Sequence, residues 1–281
     1  MTAALALVAA ALFGTGDFVG GLASRRASPR RVTARAQMSG ALLALLAAVT
    51  VGADHVGAGD VLWGGAAGLA GGLALLAFYS ALSRGPMTLV APLSAVLSAL
   101  TPVSYGIITG ERPNLLLGFG IATALVAIPA VTTAGSRDVQ LPIAVALLAV
   151  LAGLGFGAFA VCLEHTHESA GLWPIVSARG VSLVLLLAIV SATEGSLAVA
   201  DRRTRSLAFL AGGFEVAGNV GYLLAIHRGS LAVAGVLVGL YPATTVLCAR
   251  VVLREHLQRA QLIGLSVAAL AVLLITVGAT L

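Results

Sequence analysis

Lysine is absent from this chain: all 16 of its basic residues are arginine, a bias read as genome composition with no functional weight. Charge of either sign is scarce, at 10% of residues against about 25% in soluble globular domains. That scarcity excludes an ordinary solvated surface. Cysteine is nearly absent too. Cys162 and Cys248 lie inside apolar runs, without a CxxC or a loop partner, so neither a disulfide framework nor a zinc site is implied. No nucleophile elbow, phosphate loop, HExxH or aspartate-rich pair occurs, which disfavours an enzyme and removes ATP as a driving force. No cofactor is expected. The net charge of +5 comes from loop arginines and describes no nucleic-acid surface.

What the chain has instead is apolar length. Hydrophobic residues make up 59% of 281 positions and the mean hydropathy is +1.04. A hydrocarbon core of about 30 Å needs roughly 20 apolar residues of helix, and such runs fill nearly the whole sequence. The expectation is an all-α membrane protein with ten spans near 2–23, 33–52, 59–83, 88–109, 114–134, 141–163, 173–191, 205–226, 231–253 and 260–280. It is placed as a multi-pass protein of the inner or plasma membrane. The first span has its arginines after the apolar run rather than before it, so it is read as retained and not as a signal peptide.

Shifting the chain against itself by about 144 residues aligns Arg35 with Arg179, Arg84-Gly85 with Arg228-Gly229, Leu93 with Leu237, Glu111 with Glu255 and Gly120 with Gly264. A single register held over so long a stretch signals a repeat, with halves at 1–138 and 139–281. Five spans per half is an odd number, so the halves are expected to be inverted in the membrane. Arginine follows this inversion. It crowds the loops after the first and seventh spans (Arg25, Arg26, Arg30, Arg31; Arg202, Arg203, Arg205) and is missing after the second and sixth. The rule that positive loops stay inside then puts both termini outside the cytoplasm.

Ionisable groups at depth carry the functional reading, because a mid-bilayer charge costs at least about 2.5–3.5 kcal/mol and is kept where it faces protein or water. Asp17 lies in the glycine-rich stretch FGTGDFVGG of the first span. Glu215 sits near the centre of the eighth, with Gly212, Gly218, Asn219 and Tyr222 on neighbouring helical positions. Burial favours the protonated form of a carboxyl, so both are candidates for proton exchange; the alternative is a hydrogen-bonded carboxyl holding helices together. Arg35 is a candidate partner of Asp17 or an interface residue that snorkels, and its repeat mate Arg179 a candidate for anion contact or helix packing. Arg250 reads as an interface residue. Pro92, Pro102 and Pro242 are candidate kinks in the fourth and ninth spans. Tyr79, Tyr105 and Tyr241 lie in or beside those spans as candidate substrate contacts or interface anchors. Gly64, Gly68 and Gly72 form a stripe read as helix packing. His165 and His167 in EHTHE are read as a solvated loop rather than a metal site.

The segment ALSRGPMTLVAPLSAVLSALTPVSYGIITGERP, Ala81 to Pro113, and its echo AIHRGSLAVAGVLVGLYPATTVLCARVVLREHL, Ala225 to Leu257, resemble the drug/metabolite transporter superfamily of EamA type. The resemblance covers nearly the whole chain. It implies two inverted five-helix repeats around a cavity lined by helices one to four and six to nine, and outward movement of small metabolites, amino acids or drugs without ATP. It also implies cytoplasmic termini, against the arginine count. A secondary carrier working by alternating access is the leading reading, with the small substrate, protons and the lipid bilayer as partners and a monomer or homodimer as the unit. A channel and a non-transporting scaffold or sensor are its rivals.

Overall fold

A computed structural model describes residues 2–108, 141–227, 241–254 and 259–278, together with 238 and scattered positions between 114 and 126. The described elements are helices α1 (Thr2–Ser24), α2 (Pro29–Val51), α3 (Ala58–Arg84), α4 (Met87–Ile108), α5 (Ile143–Glu164), α6 (Trp173–Glu194), α7 (Arg202–His227), α8 (Tyr241–Val252) and α9 (Arg259–Gly278), with a 3-10 turn at Glu168–Ala170. Of the described positions of the expected fifth span, 115–116, 118–120, 122–123 and 126 are helical and 114 is not. Glu111, Arg112, Arg137, Arg228, Gly229, Leu237 and Glu255 lie outside the described residues.

Among the described residues, five helices are long and apolar enough to cross a membrane, within 4–24, 29–51, 58–84, 143–164 and 173–194. Their outward faces are apolar. Leu147, Leu151 and Leu154 form one exposed stripe on α5, and Leu42, Leu46 and Val49 another on α2. Water would penalise such surface, whereas lipid does not. The chain is a multi-pass membrane protein.

Several helices start earlier than their apolar runs. Pro29 sits at the first position of α2, where its missing N–H costs nothing, so the helix begins four residues before the expected boundary. Asp201 starts α7 in the same way. Its carboxylate accepts hydrogen bonds from the Thr204 hydroxyl (2.6 Å) and from the backbone N–H groups of Thr204 (3.0 Å) and Arg203 (3.2 Å). Those bonds, led by the Thr204 hydroxyl, hold its carboxyl below the usual range.

The halves interlock rather than stand apart. α1 packs chiefly on α7, while α5 packs on α3; α2 packs on α6 and α7, while α6 packs on α3 and α2. Arg25 at the end of α1 donates to the carbonyls of Leu82 (3.1 Å) and Gly85 (3.0 Å), and Leu141 and Val145 at the start of α5 press on the same Gly85. α1 therefore ends on the face where α5 begins. Loops of opposite halves tie together at both faces. On the arginine-rich face Glu194 accepts from Ser28 and Arg31, and Arg31 also donates to the Ala198 carbonyl at 2.8 Å. On the other face, Asp60 accepts from the backbone N–H of Gly57 (2.9 Å) and of His167 (2.7 Å), and the Ser169 carbonyl accepts from Asp54 and His55.

The glycine stripe on α3 faces α6. A Cβ at Gly64 would strike the Pro174 carbonyl at 2.5 Å, one at Gly68 would overlap the Ala178 carbonyl, and one at Gly72 would meet the Ser182 hydroxyl at 3.0 Å. The Ser182 hydroxyl also donates to the Gly68 carbonyl at 2.6 Å. Backbones this close leave no room for a side chain. Gly68→Val is therefore expected to lower the thermal midpoint of the purified protein sharply, by an amount matching about 1–3 kcal/mol or more of overpacking. Gly59→Ala, on the same helix with nothing within 4 Å, should leave the midpoint nearly unchanged.

Candidate functional site

Among the described residues the apolar interior holds one concentrated polar group, built from both halves. Arg179 of α6 donates through Nη1 to Gln37 Oε1 of α2 at 3.0 Å and through Nη2 to Glu215 Oε2 of α7 at 3.1 Å. Its side chain and that of Glu215 are only 8% and 13% exposed. Asp17 of α1 is buried on the neighbouring face, close enough to Glu215 for their charges to repel. The approach is possible because Gly16 lets α1 lie against Ala211, Phe214 and Glu215; a Cβ there would come within 3.2–3.5 Å of all three. Gly40 does the same for the guanidinium, with Arg179 Nη1 at 3.6 Å from its built Cβ.

Two tyrosines complete the group. Tyr79 of α3 is fully buried, its ring pressed against Gly20, and feels the charges of Glu215, Asp17 and Arg179. Its hydroxyl has no hydrogen-bond partner among the described residues. A buried hydroxyl left unpaired costs about 1–3 kcal/mol. Tyr241, the first residue of α8, hydrogen-bonds Ser98 of α4 and lies within electrostatic reach of both carboxyls. The group holds one guanidinium, paired with Glu215, and two carboxyls. With both ionised the group carries a net negative charge that a proton or a guest cation would cancel.

The structure thus brings together Asp17, Glu215, Arg179, Tyr79 and Tyr241, and separates the other candidates. Arg35 does not pair with Asp17. Its Nε and Nη2 donate to the Leu197 carbonyl at 3.2 and 2.8 Å, in the loop at the arginine-rich face. The reason is helical phase: residues 35 and 37 lie about 200° apart around α2, so Gln37 turns inward and Arg35 outward. The repeat mates Arg35 and Arg179 therefore have different partners. Asn219 is half-buried one turn from Glu215, whereas Tyr222 packs on the Ala6–Ala225 cluster. Tyr105 is partly exposed, with its hydroxyl 3.2 Å from His165 Nε2.

Pro92 is buried within the continuous helix α4; the side chains of Pro102 and Pro242 lie outside the described residues. Arg250 is exposed at the end of α8. His165 stacks on Trp63 with ring centroids 4.3 Å apart, and His167 contacts Asp60 at 3.0 Å, so the EHTHE loop serves as a clasp between α3 and α5. Among the described residues no group of three or more His, Cys, Asp or Glu side chains could hold a metal ion. Gln37 was not among the candidates: it carries no charge and, unlike Asn219, has no ionisable residue one helical turn away to single it out. A survey of every polar residue at membrane depth, not only ionisable ones, would have found it.

Comparison with known proteins places the chain among transporters. The family model described as the EamA-like transporter family matches residues 1–133 and again 143–277. A solved crystal structure is 18% identical, covers 94% of this chain and 95% of its own, and superposes with a TM-score of 0.58, which shows likeness of fold alone. No curated protein sequence matches.

Proposed function

Because the chain belongs to the EamA-like transporter family, we propose that it is a secondary carrier that exports small metabolites, amino acids or drugs by alternating access. Ten spans in two inverted halves, 1–138 and 139–281, would rock about the polar group at their contact, in a cell membrane. One observation supports this above others: Arg179 of the second half is hydrogen-bonded to Gln37 of the first while its pair with Glu215 lies within the second, so a motion between halves would break the one bond and keep the other. Asp17 and Glu215 are the proton sites in this reading, Arg179 pairs with whichever carboxylate is left ionised, and Tyr79 and Tyr241 offer hydroxyls to the substrate. A guest bearing a cationic amine would complete the charge balance.

The test is a thermal-shift screen of amines and amino acids on the purified chain, followed by counterflow of each stabilising compound in proteoliposomes. Saturable counterflow is expected. Flux that rises linearly with concentration would indicate a channel, and stabilisation without any flux would indicate a sensor; either result rejects the carrier.

A further inference from the structure

We infer that the groove between α2 and α7 at the arginine-rich face is a binding site for one anionic phospholipid. A cavity of about 630 Å³ opens there, lined by Arg35, Met38 and Leu42 of α2 and by Arg205, Phe209 and Leu210 of α7. Both helices begin on this face and run the same way, so their residues descend into the bilayer in step. The arginines lie in the first two turns, at the depth of headgroups, and long guanidinium side chains reach the interface from there. The apolar residues follow one and two turns deeper, up to roughly 10 Å below Arg35 by helix rise. Met38, Leu42, Phe209 and Leu210 are each 45–53% exposed. Polar above and apolar below is the division of a phospholipid itself.

Charge decides which phospholipid. Among the described residues no carboxylate lines the cavity, and Glu194 and Asp201 on this face are engaged elsewhere, Glu194 with Ser28 and Arg31 and Asp201 with Thr204 and Arg203. Two cations with nothing negative beside them favour a phosphate without a compensating choline. Arg35 is also preset, since the Leu197 carbonyl fixes its Nε and Nη2 and thereby its plane. A soluble phosphate would satisfy the guanidiniums and leave the apolar half of the groove unfilled.

The experiment is a titration of the purified full chain in detergent with phosphatidylglycerol, phosphatidylcholine and glycerol 3-phosphate, read by thermal midpoint and by native mass spectrometry of lipid adducts. An interfacial arginine contributes about five-fold in affinity for an anionic lipid. Phosphatidylglycerol should therefore bind about 25-fold more tightly than phosphatidylcholine, and Arg205→Gln should reduce that preference about five-fold. Arg205 is the variant of choice because Arg35 also holds a loop. Arg203→Gln, exposed on the same turn but outside the cavity lining, should change nothing. Equal binding of the two lipids, an unchanged preference in Arg205→Gln, or equal stabilisation by glycerol 3-phosphate would each overturn the assignment.

Discussion

Arg179→Met should be among the most damaging single substitutions in this chain, lowering stability by about 3–5 kcal/mol, the range found when one partner is removed from a buried ion pair. The guanidinium is the cation that binds Glu215, and it also holds Gln37 from the other half. Without it Glu215 and Asp17 stand together in an apolar interior, each disfavouring the other's charge. Methionine nearly conserves volume, so the loss reports on charge rather than on a cavity. The check is the thermal midpoint of the purified variant, together with a second substitution. Adding Glu215→Gln removes the stranded carboxylate and should recover more than half of the loss. If the double variant is no more stable than Arg179→Met alone, the ion pair is not what Arg179 contributes, and packing against Gly40 takes its place.

Much of the architecture was legible in advance, because bilayer thickness fixes helix length and the 144-residue register fixes which segments correspond. The boundaries that moved were those set by caps. Pro29 and Asp201 extend α2 and α7 into charged sequence that hydropathy alone counts as loop. Packing was legible where side chains are missing, as at Gly64, Gly68 and Gly72, since glycine at helical spacing permits one kind of contact. The candidate site was legible only as a set of costly residues. Depth picked out Asp17, Glu215 and Arg179, but not which arginine meets which carboxyl. That choice depends on the rotation of each helix, and Arg35 and Gln37 show how two positions of shift exchange an interface residue for an interior one. The repeat aligns Arg35 with Arg179, but alignment in sequence does not carry over to partners, which differ between the two.

Glu215→Gln should leave the protein folded and abolish accumulation driven by a pH gradient. The glutamine keeps the volume and an acceptor oxygen for Arg179, so the guanidinium keeps its contacts at positions 37 and 215 and the thermal midpoint should stay within a few degrees of the parent. What is lost is the surplus negative charge. In the proposed reading the group's one guanidinium and two carboxyls leave a surplus negative charge that a proton or a cationic guest would neutralise in turn, the minimum needed for one to exchange against the other. In Glu215→Gln one guanidinium and one carboxyl remain, so the surplus charge on which the proposed coupling depends is gone. For one-to-one exchange a gradient of one pH unit supports about ten-fold accumulation. With a compound identified by thermal shift, that ratio should fall to about one in the variant, while counterflow at equal pH on both sides persists within a few-fold. Asp17→Asn should behave in the same way, since it leaves the Arg179–Glu215 pair intact and equally balanced. Ten-fold accumulation surviving in both variants would remove the carboxyls from the coupling; survival in Glu215→Gln alone would assign it to Asp17.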